Sequence, residues 1–131
     1  QVTVSDGTAS VTRTLDVQVG VPEYARDIQP IWNSQCTSCH SVSPTRGGLN
    51  LVAGTSYGSI VNTAAAGAPC GGKGYIRVVP GKPDESLLVN KLLPTPLCGT
   101  RMPQGNAAHF DNNPGQLTRI RSWILAGAAN N

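Results

Sequence analysis

Cys36-Thr37-Ser38-Cys39-His40 decides how the rest of the chain is read. Two thiols three positions apart, followed at once by an imidazole, form the spacing at which a haem becomes covalently attached through two thioethers. On one helical turn Cys36 and Cys39 can reach the two vinyl groups of the porphyrin, and His40 then places its imidazole under the iron as the proximal ligand. Two other chemistries use Cys-x-x-Cys. A structural zinc site wants a second pair of Cys or His at short spacing, and the remaining cysteines, Cys70 and Cys98, are single and far apart. A thioredoxin-like dithiol wants a strand-helix-strand context, which residues 30–45 do not supply.

A haem used for electron transfer takes a second axial ligand, and a methionine thioether is a common choice that raises the reduction potential. The chain has one methionine, Met102, in the segment Arg101-Met102-Pro103-Gln104-Gly105, where Pro and Gly can fix an extended loop over the far face of a haem. A methionine filling a core gap is the competing reading. Met102 has Arg101, Pro103 and Gln104 beside it rather than a helical apolar stripe, which favours ligation. His109, the other histidine outside the motif, is the rival sixth ligand; beside Phe110 and Asp111-Asn112-Asn113 it reads as a solvent-facing loop residue. An open sixth position is the third option and would suit a peroxidase or a gas sensor.

The composition bounds the setting. The chain has 131 residues, enough for one domain and an appendage, and its 15 Gly and 10 Pro against 13% charged residues indicate a loop-rich fold organised by its cofactor. Such a chain is expected to fold poorly without the haem, because a ligand of the native state adds directly to stability. The formal charge is +3. Two propionates subtract about two charges, and ferric iron in a dianionic porphyrin adds about one, so little basic excess remains. The basic residues are scattered from Arg13 to Arg121, and nucleic-acid binding is not expected. Cys70 and Cys98 are an even pair left over after haem attachment, and a disulfide is their simplest fate in a protein matured outside the cytoplasm; two free buried thiols are the alternative. Gln1 in place of an initiator Met reads as a cut within a longer exported protein. No window reaches the length of a membrane span.

Residues 1–20 pattern differently from the rest. Val2 and Val4 alternate with polar residues, Asp6-Gly7 follows, and Val11, Leu15, Val17 and Val19 fall at odd positions, which predicts a hairpin around the Asp-Gly turn. The stretch resembles the closing strands of a bacterial immunoglobulin-like or cadherin-like module. Residues 1–20 are accordingly read as the tail of such a module or as a linker, and residues 21–131 as the haem domain; a ribbon packed on the haem domain is the alternative. A helix is expected from Tyr24 or Ala25 to the Cys-x-x-Cys motif, with Ile28, Ile31 and Trp32 on one face and Pro30 at its start or at a kink. A short helix is expected over residues 56–62 and an apolar run over 75–79. A second longer helix opens at Pro83-Asp84-Glu85-Ser86 with Leu87, Leu88, Leu92 and Leu93 as its stripe and Pro94 as its stop. A third is capped by Asn113-Pro114, with Leu117, Ile120, Trp123 and Ile124 inward and Arg119 and Arg121 outward. Gly67-Ala68-Pro69-Cys70-Gly71-Gly72-Lys73 matches the first part of a phosphate-binding loop, but Gly74 stands where Ser or Thr is required. These elements predict the all-α class.

Together the motifs over residues 23–128 resemble a class I cytochrome c domain, more narrowly the planctomycete-type cytochrome c. The pieces are Asp27-Ile28-Gln29-Pro30-Ile31 ahead of Cys36, Cys39 and His40; Gly47-Gly48-Leu49-Asn50-Leu51; Val79-Pro80-Gly81-Lys82-Pro83-Asp84-Glu85-Ser86-Leu87; Arg101-Met102-Pro103; and Ile120-Arg121-Ser122-Trp123-Ile124-Leu125-Ala126-Gly127-Ala128. The resemblance implies a class I cytochrome c-like fold of three to five helices around one covalently bound haem c, held by Cys36 and Cys39, with His40 and Met102 axial and with Pro44, Leu49 and Leu51 lining the pocket. It places Trp123 in a C-terminal helix that crosses the N-terminal one. It also implies an electron-transfer protein rather than an enzyme, bacterial and periplasmic, cell-surface or secreted, monomeric as an isolated domain. Redox partner proteins are expected, with secreted oxidoreductases such as copper-dependent polysaccharide oxygenases as one setting. A haem peroxidase or sensor with an open or displaceable sixth ligand is the alternative. The Cys70 and Cys98 pair is not a general feature of the family.

Overall fold

The computed structural model describes residues 2–5, 7, 10–13, 20–43 and 45–131. Regular structure within them is mostly helical, compatible with the all-α class. The N-terminal exception is an antiparallel pair, β1 (Val2–Ser5) and β2 (Ser10–Arg13), in the register Val2 to Arg13 through Ser5 to Ser10. Asp6 of the expected Asp6-Gly7 turn lies outside the described residues, as do Leu15, Val17 and Val19.

The expected first helix begins as a wider π-helical turn, Tyr24–Ile28, and continues as α1 (Gln29–Gln35). Pro30 sits in the first turn of α1, where it can donate no hydrogen bond to the π-helical turn ahead of it, and the helix is wide at this point, the Gln29 N–H reaching back to the Tyr24 carbonyl. Ile28, Ile31 and Trp32 are buried as their spacing requires. The short α2 (Ser56–Ile60) is followed by an extended passage that bridges Val61 to Val78 and Ala64 to Ile76, so the apolar run at 75–79 is bridged edge to edge rather than helical.

Pro83–Glu85 forms a 3-10 turn that leads into α3 (Leu87–Leu92). Leu87, Val89 and Leu92 are its buried residues; Leu88 and Leu93 are only half-buried, and Val89 takes the inward position that the leucine count assigned to them. Ser86, fully buried, does not cap α3: its hydroxyl donates to the Lys82 carbonyl and accepts from the Val79 N–H, both at 2.9 Å. A four-residue helix, α4 (His109–Asn112), stands where a loop was expected and precedes α5 (Pro114–Leu125). Asn113 turns its side-chain amide back to the His109 carbonyl at 2.9 Å instead of capping α5. On α5 Arg119 is exposed, whereas Arg121 reaches Asp84 at 2.8 Å and ties the helix to the 3-10 turn.

The core joins the start of α1 to α5. Tyr24 packs on Trp123 with ring centres 5.0 Å apart and on Tyr57 edge to face at 5.3 Å. The backbone closes the same junction, because Asn131 accepts the Tyr24 N–H on its side chain and the Ala25 N–H on its main-chain carbonyl, each at 2.8 Å. Ile28, Ile120 and Ile124 are fully buried there, and each such side chain contributes roughly 1.5–3 kcal/mol relative to exposure. A buried chain fastens α2 to α1: Tyr24 donates to Ser56, Ser56 to the Gln29 side-chain carbonyl, and the Gln29 amide to the Leu51 carbonyl at 2.9 Å. These contacts form one wall, and the polar loops hang from its far side.

Candidate functional site

Those loops enclose a cavity of about 290 Å³, at the lower edge of the small-molecule range of roughly 300–1,000 Å³. Trp32, Cys36, Cys39 and His40 line it from α1 and the turn that follows; Leu49 and Leu51 from the next loop; Leu87, Leu88 and Leu92 from α3; and Met102 from the loop beyond. Cys36, Cys39, His40, Leu49, Leu51 and Met102 therefore share one cavity. Pro44 lies outside the described residues. His109 does not line the cavity: half-buried on α4, it pairs through Nε2 with Gln116 at 2.9 Å and stands edge-on to Phe110.

Local hydrogen bonding orders the motif. The Cys36 N–H continues the helix to the Trp32 carbonyl at 2.9 Å, and the His40 N–H returns to the Cys36 carbonyl at 2.9 Å, closing a turn around both cysteines. His40 Nδ1 donates to the Arg46 carbonyl at 2.9 Å. A carbonyl can only accept, so the proton resides on Nδ1 and Nε2 keeps its lone pair, the tautomer of a metal-binding histidine with an ordered outer hydrogen bond. Burial pushes the His40 pKa below its ordinary value; backbone hydrogen bonds at Arg46 and Leu49 oppose this, and the nearby charges of Arg46 and Arg77 add to it. The imidazole is thus neutral near pH 7.

The two cysteine pairs differ in state. Cys36 and Cys39 are free, while Cys70 and Cys98 form a disulfide across 28 positions. Burial, with a smaller push from Cys39, raises the Cys36 thiol to about 12. A thiol held protonated in this way is a poor nucleophile and a poor dithiol redox catalyst. Among the described residues no group of three or more His, Cys, Asp or Glu could hold a metal ion.

The charges on the cavity wall have one sign. Of the described lining residues Arg46, Arg77 and Lys91 are cationic and none is Asp or Glu. Arg77, only 7% exposed, gives its guanidinium to the carbonyls of Ser59 at 2.7 Å, Gly48 at 2.9 Å and Gly47 at 3.2 Å. Lys91 gives its ammonium to the carbonyls of Cys98 at 2.6 Å and of Thr100. Desolvation lowers the pKa of both groups. The buried indole Nε1 of Trp32 makes no full hydrogen bond among the described residues and lies beside the Tyr24 hydroxyl. An apolar cavity with a cationic edge suits a flat apolar ligand that carries anionic groups. Haem, with its two propionates, meets that description, and the residues present fit it.

The sequence reading did not single out Arg77, Lys91 or the Trp32 donor. The one available signal was a guanidinium inside the apolar run at 75–79, where a charge must find partners. Lys91 gave none, since a lysine on a helix ordinarily reads as solvent-facing. No described helix is long and apolar enough to cross a membrane. Compared with known proteins, the chain matches no family model, no curated protein and no solved structure.

Proposed function

We propose that this chain is a single-haem electron-transfer domain of the class I cytochrome c type. The observation that carries the reading is the meeting of Cys36, Cys39, His40 and Met102 on one apolar cavity, with His40 tied through Nδ1 to the Arg46 carbonyl. Haem, when bound, supplies a one-electron Fe(III)/Fe(II) couple. Cys36 and Cys39 would hold it by thioethers, His40 Nε2 and the Met102 sulfur would ligate its iron, and Leu49, Leu51 and Leu87 would keep water away from it. Arg46 and Arg77 would offset its propionates. Ligation by both His40 and Met102 would leave no place for a substrate at iron, which supports reading the domain as a carrier rather than an enzyme.

The setting follows from the same chemistry. Covalent haem attachment and the Cys70–Cys98 disulfide both belong to an oxidising compartment, which supports a periplasmic, cell-surface or secreted bacterial location in a larger exported protein. Its partners are redox proteins, with an extracellular copper-dependent polysaccharide oxygenase as a candidate acceptor. The peroxidase or sensor reading lacks a distal acid/base, because His109 is committed to Gln116 outside the cavity lining.

Absorption spectra of the matured protein, oxidised and reduced, test the proposal. Colour that survives denaturation is expected, and is expected to vanish when Cys36→Ser and Cys39→Ser are combined. The ferric protein should show the weak red-edge charge-transfer band of methionine-ligated iron. Met102→Ala should abolish that band and His109→Ala should keep it. The reverse pattern overturns the ligand assignment, and a colourless matured protein overturns the whole reading.

A further inference from the structure

Lys91 makes three hydrogen bonds to one short stretch of chain. Its ammonium donates to the carbonyls of Cys98 and Thr100, and its own main-chain carbonyl accepts the Met102 N–H at 2.8 Å. The contacts fall on every second residue of the segment that leads into Met102, so one residue of α3 fixes that segment along its length. Gly99 makes the approach possible: a Cβ there would stand 3.2 Å from the Lys91 Nζ and 3.2 Å from Pro69, so a side chain would crowd the ammonium away. No carboxylate pairs with Lys91 among the described residues. Its charge is spent on the loop's carbonyls, which take the place of the water that a half-buried ammonium has lost.

We infer that Lys91 is the positioning residue for the sixth ligand, a clamp that keeps the Met102 segment closed over the cavity. The inference rests on the proposed His40 and Met102 ligation and extends it. A clamp of this kind sets the population of the open loop. An outside ligand for the iron binds only the open form, and its apparent affinity is reduced by the fraction of molecules that are open. Loosening the clamp therefore tightens the apparent binding of a small competing ligand, even though nothing at the iron has been altered.

The test is imidazole titration of the ferric holoprotein at neutral pH, in wild type, Lys91→Met, Lys91→Gln and Lys82→Met. Lys82 is an exposed cation paired with Glu85, and its variant controls for the loss of one charge. Both Lys91 variants are expected to bind imidazole at least fivefold more tightly than wild type, with Lys82→Met unchanged. Covalent haem content and the urea midpoint are recorded alongside. A Lys91 that serves stability alone would lower the midpoint and leave imidazole affinity where it was. If Lys91→Met does not fold, Lys91→Gln, which keeps a donor of similar length, carries the measurement. A gain below fivefold in a protein that retains the red-edge band overturns the clamp and leaves the ligand assignment standing. A wild type that lacks the band and binds imidazole tightly overturns both.

Discussion

His40 follows Cys39 directly and is fixed by hydrogen bonds to nearby residues, whereas Met102 arrives after most of the domain and its segment has, besides bonds of similar reach, a disulfide that spans 28 positions. On the His40 side the Cys36 carbonyl, the Arg46 carbonyl and the Leu51 N–H, which bonds the His40 carbonyl at 2.8 Å, do the holding. The Met102 side has the Cys70–Cys98 disulfide, the Lys91 ammonium, and Arg101, which bonds the Leu92 carbonyl at 2.9 Å and grips Asp111 with both terminal nitrogens. The contrast follows from chain entropy. A proposed ligand next to the two cysteines is placed by one turn, while a proposed ligand far along the chain needs cross-links to offset the freedom of the intervening loops.

If the Met102 side depends on long-range ties, cutting the strongest should do the most damage. Replacing Cys70 and Cys98 with Ser releases a loop closed across 28 positions, and the chain-entropy estimate for that length is about 3.5 kcal/mol. Urea unfolding of the matured protein should register a loss of this order. A loss near zero would mean that Lys91 and Arg101 suffice and that the asymmetry between the two sides is smaller than drawn.

The His40 side has its own sensitive point. A Cβ on Gly67 would lie 2.3 Å from the Gly47 Cα, so Gly67→Ala must push back the backbone that carries the Arg46 carbonyl. Overpacking of this kind typically costs about 1–3 kcal/mol. The variant should also speed solvent exchange of the His40 Nδ1 proton, measured by NMR. Unchanged exchange alongside lowered stability would show that the carbonyl is held from elsewhere.

The smallest effect belongs to Arg101 and Asp111. The side-chain hydrogen bond from Arg101 holds the Asp111 carboxyl below its usual range. A folded-state pKa depressed in this way gives stability that is present above the unfolded value near 3.9 and is lost as pH falls through the folded value. Asp111→Asn should therefore lower the melting temperature slightly near neutrality and leave it unchanged at the acid end of the profile, where the wild type has already lost this contribution. An equal drop at all pH values would point to a packing role instead.

Much of this was legible from sequence because the signals are local. The Cys-x-x-Cys-His spacing placed three cavity residues, Pro30 and Pro83 marked helix starts, and the 3.6-residue periodicity of Ile120, Trp123 and Ile124 marked the inner face of α5. Hidden from it were the features that depend on what returns from far along the chain. Asn113 carries a capping side chain, yet the His109 carbonyl four residues back competes for it. Ser86 stands at an N-cap and spends its hydroxyl on residues 79 and 82. Arg77 and Lys91 find carbonyls on loops tens of residues away or across a turn, and no periodicity encodes such a meeting.

Trp32 and Trp123 give the molecule a built-in optical gauge. Trp32 stands on the cavity wall, whereas Trp123 is packed against Tyr24 on the inner side with its indole N–H bound to the Ala129 carbonyl at 2.9 Å. A pigment seated in the cavity would drain the emission of the first indole more completely than that of the second. With Trp123→Phe leaving Trp32 as the sole indole, fluorescence becomes a direct count of filled and empty molecules.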